Sequence, residues 1–273
     1  MASSTDNYTT AYAAALAVGT ATLLGIAIFK VLVEPAKTVL VTKQQGSTDI
    51  SPEPFSAVIK ESTKVLHRQA ESGELIKLIF SARITWNLYL QYLLALYPVY
   101  LEMENAMANC RGHPVIKRFY FPNELNRAKL LEKDIRFLMQ GSDESVIQDA
   151  LTTHGPAVTA YCDRIRRLGE TDPTLLIAHT YARYLGDLSG GQMIKKRISK
   201  ALQLETGGAG LDFYEFPNIA AHNDFKNMYR RLLDKLETDA ALNCFLDKQA
   251  FIQEAKKSFV FNIELFEEVM PSP

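Results

Sequence analysis

Residues 183–192 read RYLGDLSGGQ and lie between two segments, TLLIAHTYA and MIKKRISKAL, whose apolar spacing otherwise predicts one amphipathic helix. A glycine inside a helix costs about 1 kcal/mol relative to alanine, so Gly186, Gly190 and Gly191 together cost this helix about 3 kcal/mol. Two interpretations are open: one helix ends at a C-cap and another begins, or a single helix kinks where a flat group requires bare backbone. Asp187 supplies the acidic side chain among these glycines.

A phosphate-binding loop does not fit this run, because Gln192 and Met193 follow the last glycine where a P-loop needs lysine and then serine or threonine. Elsewhere apolar residues recur at three- and four-residue spacing, with glycine and proline at the breaks. This spacing predicts helices over residues 55–71, 85–108, 124–139, 157–168, 173–202, 224–237 and 240–270. No alternating strand pattern longer than a few residues occurs, so the sequence predicts a single all-α domain.

The composition excludes several classes of protein. The chain has 273 residues, of which 47% are hydrophobic, and this is enough for one large domain and an appendage. Its formal net charge of -1 gives no overall reason to expect nucleic acid as a partner. The three cysteines include no CxxC pair, which excludes a disulfide scaffold or a cysteine zinc site and suits a reducing compartment.

The amino-terminal segment has the composition of a membrane anchor. Residues 8–29 carry no charge, and as a helix they would extend about 33 Å, enough to cross a hydrocarbon core of about 30 Å. A cleaved signal peptide is the alternative, but no lysine or arginine precedes the run. We therefore predict an anchor within residues 1–33, a linker over residues 34–54 and a globular domain over residues 55–270.

The charges that follow the apolar run predict its orientation in the membrane. Lys30, Lys37 and Lys43 all lie after the run. Positively charged residues beside a membrane helix tend to stay on the cytoplasmic side. The globular domain is therefore expected to face the cytosol, with the apolar helix serving as a tether.

One histidine lies in a charged stripe of a predicted helix. Lys60, Lys64 and His67 are spaced at i, i+4 and i+7, within about 60° of one helix face, and Glu71 extends the stripe by one turn. One interpretation is an ordinary solvated face stabilised by ion pairs four residues apart. The other is a single axial iron ligand, oriented by Glu71 and flanked by cations that meet carboxylates on the rim of the ligand.

A second polar stripe consists of Lys226, Tyr229 and Arg230 at i, i+3 and i+4. Alone it is typical of an exposed helix face, but beside His67 it would meet a second anionic group. The remaining histidines are interpreted as structural by default: His113, His154, His179 and His222. No HExxH or Glu-x-x-His pattern occurs, so a multi-histidine metal centre is not expected.

Several segments together resemble the animal-type heme oxygenases. They occur in the order and with the spacing of that family, and the resemblance covers about residues 55–268, most of the chain. The segments are KESTKVLHRQAE from residue 60, PVIKRFYFPNEL from residue 114, LLIAHTYARYLGDLSGGQMIKK from residue 175, FPNIA from residue 216, FKNMYR from residue 225 and AKKSFVFNIELFEE from residue 255. The resemblance implies a helical catalytic domain that holds heme between a proximal helix and a kinked distal helix.

The resemblance assigns residues on the proximal side and on the rim of the heme. His67 matches the axial ligand of the heme iron, and Glu71 matches the carboxylate that hydrogen-bonds it. Lys60 matches a lysine that contacts a heme propionate. Lys226 and Arg230 match the cations at the other end of the same edge.

On the distal side, Gly186 and Gly190 match the glycines whose backbone lies close over the porphyrin. Asp187 matches the carboxylate that organises distal water and is the predicted catalytic residue. A bulky side chain at either glycine would hinder attack on the porphyrin's own meso carbon, and Asp187 would deliver protons through water. The other pocket residues implied by the resemblance are Tyr181, Arg183, Phe259 and Asn262.

The resemblance implies that heme is both prosthetic group and substrate, oxidised with dioxygen to biliverdin, carbon monoxide and iron(II). Electrons would come from an NADPH-dependent cytochrome reductase of the endoplasmic reticulum, and a mitochondrial membrane is the alternative location. Animal members carry their hydrophobic tail at the carboxyl end, whereas this chain has its apolar run at the front. The alternative function is a catalytically silent heme-binding or heme-sensing protein on the same scaffold; a cofactor-free oxidase or a thiamin-salvage hydrolase is a third class.

Overall fold

A computed structural model describes residues 53–205 and 207–270, and these residues form helices without any strand. The α-helices are α1 Phe55–Glu71, α2 Glu74–Phe80, α3 Trp86–Asn109, α4 Ile116–Phe119, α5 Pro122–Leu125, α6 Ala128–Leu138, α7 Glu144–Thr152, α8 Pro156–Thr171, α9 Leu176–Gly186, α10 Gln192–Leu202, α11 His222–Thr238 and α12 Lys248–Glu268. A π-helix, Asp187–Gly191, joins α9 to α10, and 3-10 turns cover Pro173–Leu175, Asp212–Tyr214 and Asn243–Phe245. The predicted all-α class is confirmed.

The predicted helix over residues 124–139 is wrong in its first part, because the chain breaks between α5 and α6. Asn126 adopts an extended conformation, with φ -62° and ψ 129°. The side chain of Glu104 on α3 then accepts hydrogen bonds from the backbone N–H groups of Arg127 and Ala128, at 2.5 and 2.9 Å. A carboxylate from another helix therefore caps α6, which no local spacing could indicate.

The predicted helix over residues 240–270 is also wrong at its start. A 3-10 turn, Asn243–Phe245, precedes α12. The helix begins at Lys248, where the side chain of Asp247 accepts a hydrogen bond of 2.9 Å from the backbone N–H of Ala250. The helix over residues 55–71 is confirmed as α1. The sequence missed three short helices, namely α2, α4 and α7.

The core is built around α3, more than half of whose residues are buried. It packs against α6 and α8, while α12 packs against α1 and α9. Tyr89 and Tyr100 of α3 are fully buried, together with Phe55 of α1 and Phe251 of α12, whose rings meet edge to face at 5.3 Å. This packing brings α1, α9 and α12 together around one side of the domain.

A buried ionic cluster fixes the orientation of α8, α9 and α12. Glu254 on α12 lies 3.0 Å from Nε2 of His179 on α9 and accepts a hydrogen bond of 2.8 Å from Nε of Arg164 on α8. The hydroxyl group of Tyr161 lies 3.3 Å from Nδ1 of the same histidine. Burial lowers the pKa of His179, although Glu254 opposes that shift. The predicted structural role of His179 is therefore confirmed.

The predicted membrane anchor lies outside the described residues. The anchor within residues 1–33, its apolar run over residues 8–29 and most of the linker over residues 34–54 all precede residue 53. Of the helices that the structure describes, none combines the length and the apolar character that a bilayer crossing requires.

Candidate functional site

The glycine run forms a widened turn within a continuous helix. Gly186 and Gly191 have right-handed helical φ angles of -63° and -54°, so the chain does not end in a C-cap there. Instead, the five residues Asp187–Gly191 form a π-helix, a feature that inserts an extra residue per turn and often marks a functional site. The C-cap interpretation is wrong, because one helix runs through the glycine segment with a π-helical turn.

The three glycines of this segment do not have the same surroundings. A Cβ atom added at Gly186 or Gly190 would have no atom within 4 Å, so bare backbone faces open space at both positions. A Cβ atom at Gly191 would instead lie 3.5 Å from Cβ of Asp187 and 3.7 Å from the ring of Tyr214. Gly186 and Gly190 are therefore the two that leave room for a flat group against the helix.

Asp187 points into the interior beside this open face. Its side chain is 9% exposed, and its Oδ2 accepts a hydrogen bond of 2.5 Å from the hydroxyl group of Tyr100 on α3. Nε of Arg183 donates to the same hydroxyl oxygen at 3.1 Å. Burial raises the pKa of Asp187, although Arg183 and the Tyr100 hydrogen bond oppose that shift. A proton on this carboxyl group is thus held more tightly than on an exposed aspartate.

Arg183 extends this series of hydrogen bonds from α9 to α12. Its Nη1 donates to Oδ1 of Asn262, whose Nδ2 donates to the carbonyl oxygen of Ser258 at 2.9 Å. The guanidinium group also lies 4.9 Å from the centre of the Tyr100 ring. The structure therefore brings three predicted residues, Asp187, Arg183 and Asn262, into one buried network.

Sequence reasoning missed Tyr100, the residue that joins two of these groups. It lies on a largely apolar helix that contains three other tyrosines, so no spacing distinguishes it. A usable signal was its chemistry, because a tyrosine in the centre of a buried helix needs a partner for its hydroxyl group.

His67 lies on α1 with its side chain 53% exposed. Its Nδ1 is 3.4 Å from Oε2 of Glu71, one turn further along the helix, and its ring meets the ring of Phe259 edge to face at 5.6 Å. Within the described part of the chain, Nε2 makes no hydrogen bond. Three predicted residues thus lie together here, and one imidazole nitrogen remains available to a metal.

The predicted cations lie on α1 and α11, with Lys60 exposed and Lys226 and Arg230 partly buried. Nζ of Lys226 on α11 donates to Oγ of Ser189 in the π-helix at 2.8 Å, so this lysine reaches the distal segment. Arg230 hydrogen-bonds the hydroxyl group of Tyr181, a buried side chain of α9. Burial lowers the pKa of Lys226, and the nearby Arg230 lowers it further. Lys60 is exposed on α1 and forms no ion pair among the described residues.

These features define a helical protein with open space beside two helix glycines, an imidazole nitrogen that can bind a metal, and cations on the neighbouring helices. This combination suits a flat, anionic, iron-containing ligand. The heme oxygenase family model matches residues 53–268. The chain is 39% identical to heme oxygenase 1 of Homo sapiens over 226 residues, which are 83% of this chain and 75% of the human protein. It is 38% identical to the heme oxygenase of Takifugu rubripes over 217 residues, which are 79% of this chain and 74% of the fish protein.

Solved structures agree with these relatives. Heme oxygenase-1 of the cyanobacterium Synechocystis in complex with heme matches with a TM-score of 0.70 and 37% identity, covering 79% of this chain and 91% of that chain. The heme oxygenase of Leptospira interrogans matches with a TM-score of 0.70 and 36% identity, covering 79% and 99%. The chain belongs to the heme oxygenase family.

Proposed function

We propose that this chain cleaves heme with dioxygen and supplied electrons, giving biliverdin, carbon monoxide and iron(II). The observation that carries the proposal is the open backbone face of Gly186 and Gly190 beside the buried carboxyl group of Asp187. Membership of the heme oxygenase family supports it. Heme, the substrate, supplies the redox-active iron at which dioxygen is reduced.

On the proximal side, His67 is proposed to bind the heme iron through Nε2. Glu71, close to Nδ1, would accept the other ring proton and so fix the tautomer and raise the basicity of the ligand. The ring of Phe259 limits rotation of the imidazole. His67→Ala should abolish the iron–histidine band in resonance Raman spectra, and an unchanged band would contradict this assignment.

On the distal side, Gly186 and Gly190 are proposed to lie against the porphyrin with backbone alone. Side chains at these positions would fill the space that the macrocycle needs. Asp187 is proposed to hold and deliver protons through an ordered water, with Tyr100 and Arg183 keeping its carboxyl group in place. Its raised pKa suits proton delivery, because the proton is retained at higher pH than on an exposed aspartate.

The two propionates of heme are the proposed partners of the cations on α1 and α11. Lys60 on α1 is proposed to meet one carboxylate, and Lys226 with Arg230 on α11 the other. Binding would require Lys226 to exchange its contact with Ser189 for a charged oxygen. Tyr181, hydrogen-bonded by Arg230, would form part of the adjoining wall.

Incubation with hemin, a cytochrome reductase and NADPH tests the function directly. We expect loss of the Soret band and the appearance of biliverdin and carbon monoxide. An intact Soret band under these conditions would instead favour the catalytically silent heme-binding or heme-sensing protein. Failure to bind hemin at all would point to the cofactor-free oxidase or thiamin-salvage class.

The electron source and the location of the chain are part of the same proposal. An NADPH-dependent cytochrome reductase is proposed to supply electrons, with residues 8–29 crossing the membrane of the endoplasmic reticulum and the catalytic domain in the cytosol. Anchoring both proteins in one membrane would raise their local concentrations and so compensate for weak docking. A mitochondrial membrane is the alternative location.

Removal of residues 1–50 tests the anchor. We expect the shortened chain to remain in the supernatant after ultracentrifugation with membranes and to retain hemin turnover. A shortened chain that still sediments with membranes would contradict an anchor over residues 8–29. Immunolocalisation of the full chain distinguishes the two membranes.

A further inference from the structure

Two half-exposed aromatic side chains lie at the turn between α2 and α3. Phe80 is 36% exposed at the end of α2, and Trp86 is 37% exposed at the start of α3, with the exposed Arg83 between them. The guanidinium group of Arg197 on α10 lies 5.7 Å from the centre of the Phe80 ring. This contact joins the turn to the exposed face of α10, which carries Lys196 and Lys200.

We name these six residues the aromatic-basic patch: Phe80, Arg83, Trp86, Lys196, Arg197 and Lys200. Within the described residues, none of its four cations forms an ion pair with a carboxylate. Other arginines in the same domain do, as Arg136 does with Glu132 and Glu144. The patch therefore carries an uncompensated positive charge on a chain whose net charge is -1.

We propose that the aromatic-basic patch is the surface with which the catalytic domain rests on an anionic lipid bilayer. Tryptophan and phenylalanine favour the headgroup region of a membrane, and clustered lysine and arginine side chains are attracted to anionic lipids. The aliphatic stems of the cations can lie along the apolar boundary while their charges reach the phosphates. This inference rests on the proposed membrane anchor and adds an orientation to it.

The length of the predicted linker shows why a separate surface is needed to orient the domain. Residues 30–52 separate the apolar run from the described domain, and in extended form they would span up to about 80 Å. A tether of that length does not determine which face of the domain meets the bilayer. Hydrophobic and charged contacts of the aromatic-basic patch would do so.

Trp86 is the single tryptophan of the chain, so its fluorescence reports on the patch alone. The experiment uses the heme-free full chain in phosphatidylcholine vesicles with and without phosphatidylserine, with brominated acyl chains as quenchers. In the anionic vesicles we expect a blue shift and quenching of the emission, and high salt should weaken both. Sedimentation of the same samples in high salt, which weakens the charged contacts of the patch, measures attachment through the anchor.

A matched pair of double variants separates the patch from total charge. Arg83→Glu with Arg197→Glu should remove most of the quenching. The control, Arg111→Glu with Arg167→Glu, makes the same change in charge at exposed positions. Arg111 follows the far end of α3, about 36 Å along that helix from Trp86. The Trp86 emission of the control variant should therefore be quenched as in the original chain.

The possible outcomes distinguish this inference from the proposed anchor. A chain that sediments with vesicles while Trp86 emission stays unchanged keeps the anchor and overturns the patch. A chain that neither sediments in high salt nor shows quenching in low salt overturns both, whereas quenching in low salt without sedimentation in high salt supports the patch and overturns the anchor. A response of Trp86 to soluble reductase but not to vesicles would make the patch a protein-docking surface and overturn the inference.

Discussion

The proximal and distal sides of the proposed heme site hold their polar groups in different ways. His67 and Glu71 are more than half exposed and belong to one helix, four residues apart. Asp187 is buried and depends on Tyr100 of α3, which also binds Arg183. The proximal arrangement needs only a helix, whereas the distal arrangement exists only when three helices have packed. The effects of substitutions on the two sides should therefore differ in size and in kind.

The largest expected effect comes from Asp187→Asn, which keeps the shape of the side chain and removes its proton chemistry. Biliverdin formation should fall by about 100-fold or more, the usual contribution of a positioned proton donor. Hemin affinity should change little, because His67 and the cations are untouched. A hemin titration and a turnover assay measure the two effects, and undiminished biliverdin formation would exclude the proposed role of Asp187.

Gly190→Leu tests the open face of the distal segment. A side chain forced against the porphyrin should weaken hemin affinity about tenfold, the effect of a moderate overpacking cost of 1–3 kcal/mol. The heme-free protein should become more stable by roughly 0.5–1 kcal/mol, because an interior helix glycine has been replaced. Soret titration and thermal unfolding measure the two changes.

Gly191→Ala is the matched control for that experiment. Its Cβ atom would make ordinary contacts of 3.5–3.7 Å inside the domain, away from the open face. Hemin affinity should therefore stay unchanged. Equal losses in both variants would mean that the distal glycines share a packing role and that Gly190 does not face the porphyrin.

Glu71→Gln should have a smaller effect than Asp187→Asn and one of about the same size as Gly190→Leu. Removal of a charged partner from a metal-ligating histidine costs 10- to 100-fold in affinity, and the exposure of this pair favours about tenfold. The iron–histidine stretching frequency should fall, because the imidazole becomes less basic. Glu61→Gln on the same helix is the control, and a similar shift there would remove the special role of Glu71.

The smallest expected effect is a dependence of stability on pH. Burial raises the pKa of Asp187 in the folded protein, so the folded state holds its proton where the unfolded state has lost it. The contribution of Asp187 to stability is then greatest below the ordinary aspartate pKa of about 3.9 and falls as pH rises through the raised value, by about 1.4 kcal/mol for each pKa unit. Urea denaturation at several pH values measures this slope.

The same comparison supplies the control for the pH series. Asp187→Asn should reduce the slope, and the proximal variant Glu71→Gln should leave it unchanged. If Asp187→Asn and the original chain show the same slope, another buried carboxyl group is responsible. Asp134, whose pKa is raised to about 7 by burial, is the next residue to substitute.

Local spacing explains why much of the fold was predictable. The apolar residues of α1 repeat at helical spacing over the whole segment, and the predicted residues 55–71 coincide with the observed helix. The start of α6 was not predictable, since its cap is Glu104 from α3. Short helices such as α2 and α7 contain too few turns for a period to emerge.

In the site too, local spacing predicted some features, whereas others depend on packing between distant residues. His67 and Glu71 could be paired by counting four residues along one helix, and the structure places them in contact. The glycine run indicated bare backbone but left a C-cap open, because a π-helix depends on the packing around it. Tyr100 could not be paired with Asp187 from the sequence, because the two residues lie 87 positions apart in the chain.

One helix contacts both sides of the site. Phe259 meets the imidazole of His67, and Asn262 accepts a hydrogen bond from Arg183. Residues three apart on a helix share a face and are separated by about 4.5 Å along its axis. A single stiff helix therefore contacts both sides of the proposed heme site. A planar substrate must enter between these two sides and a flexible product must leave. A displacement of α12 would change the contacts on both sides at once.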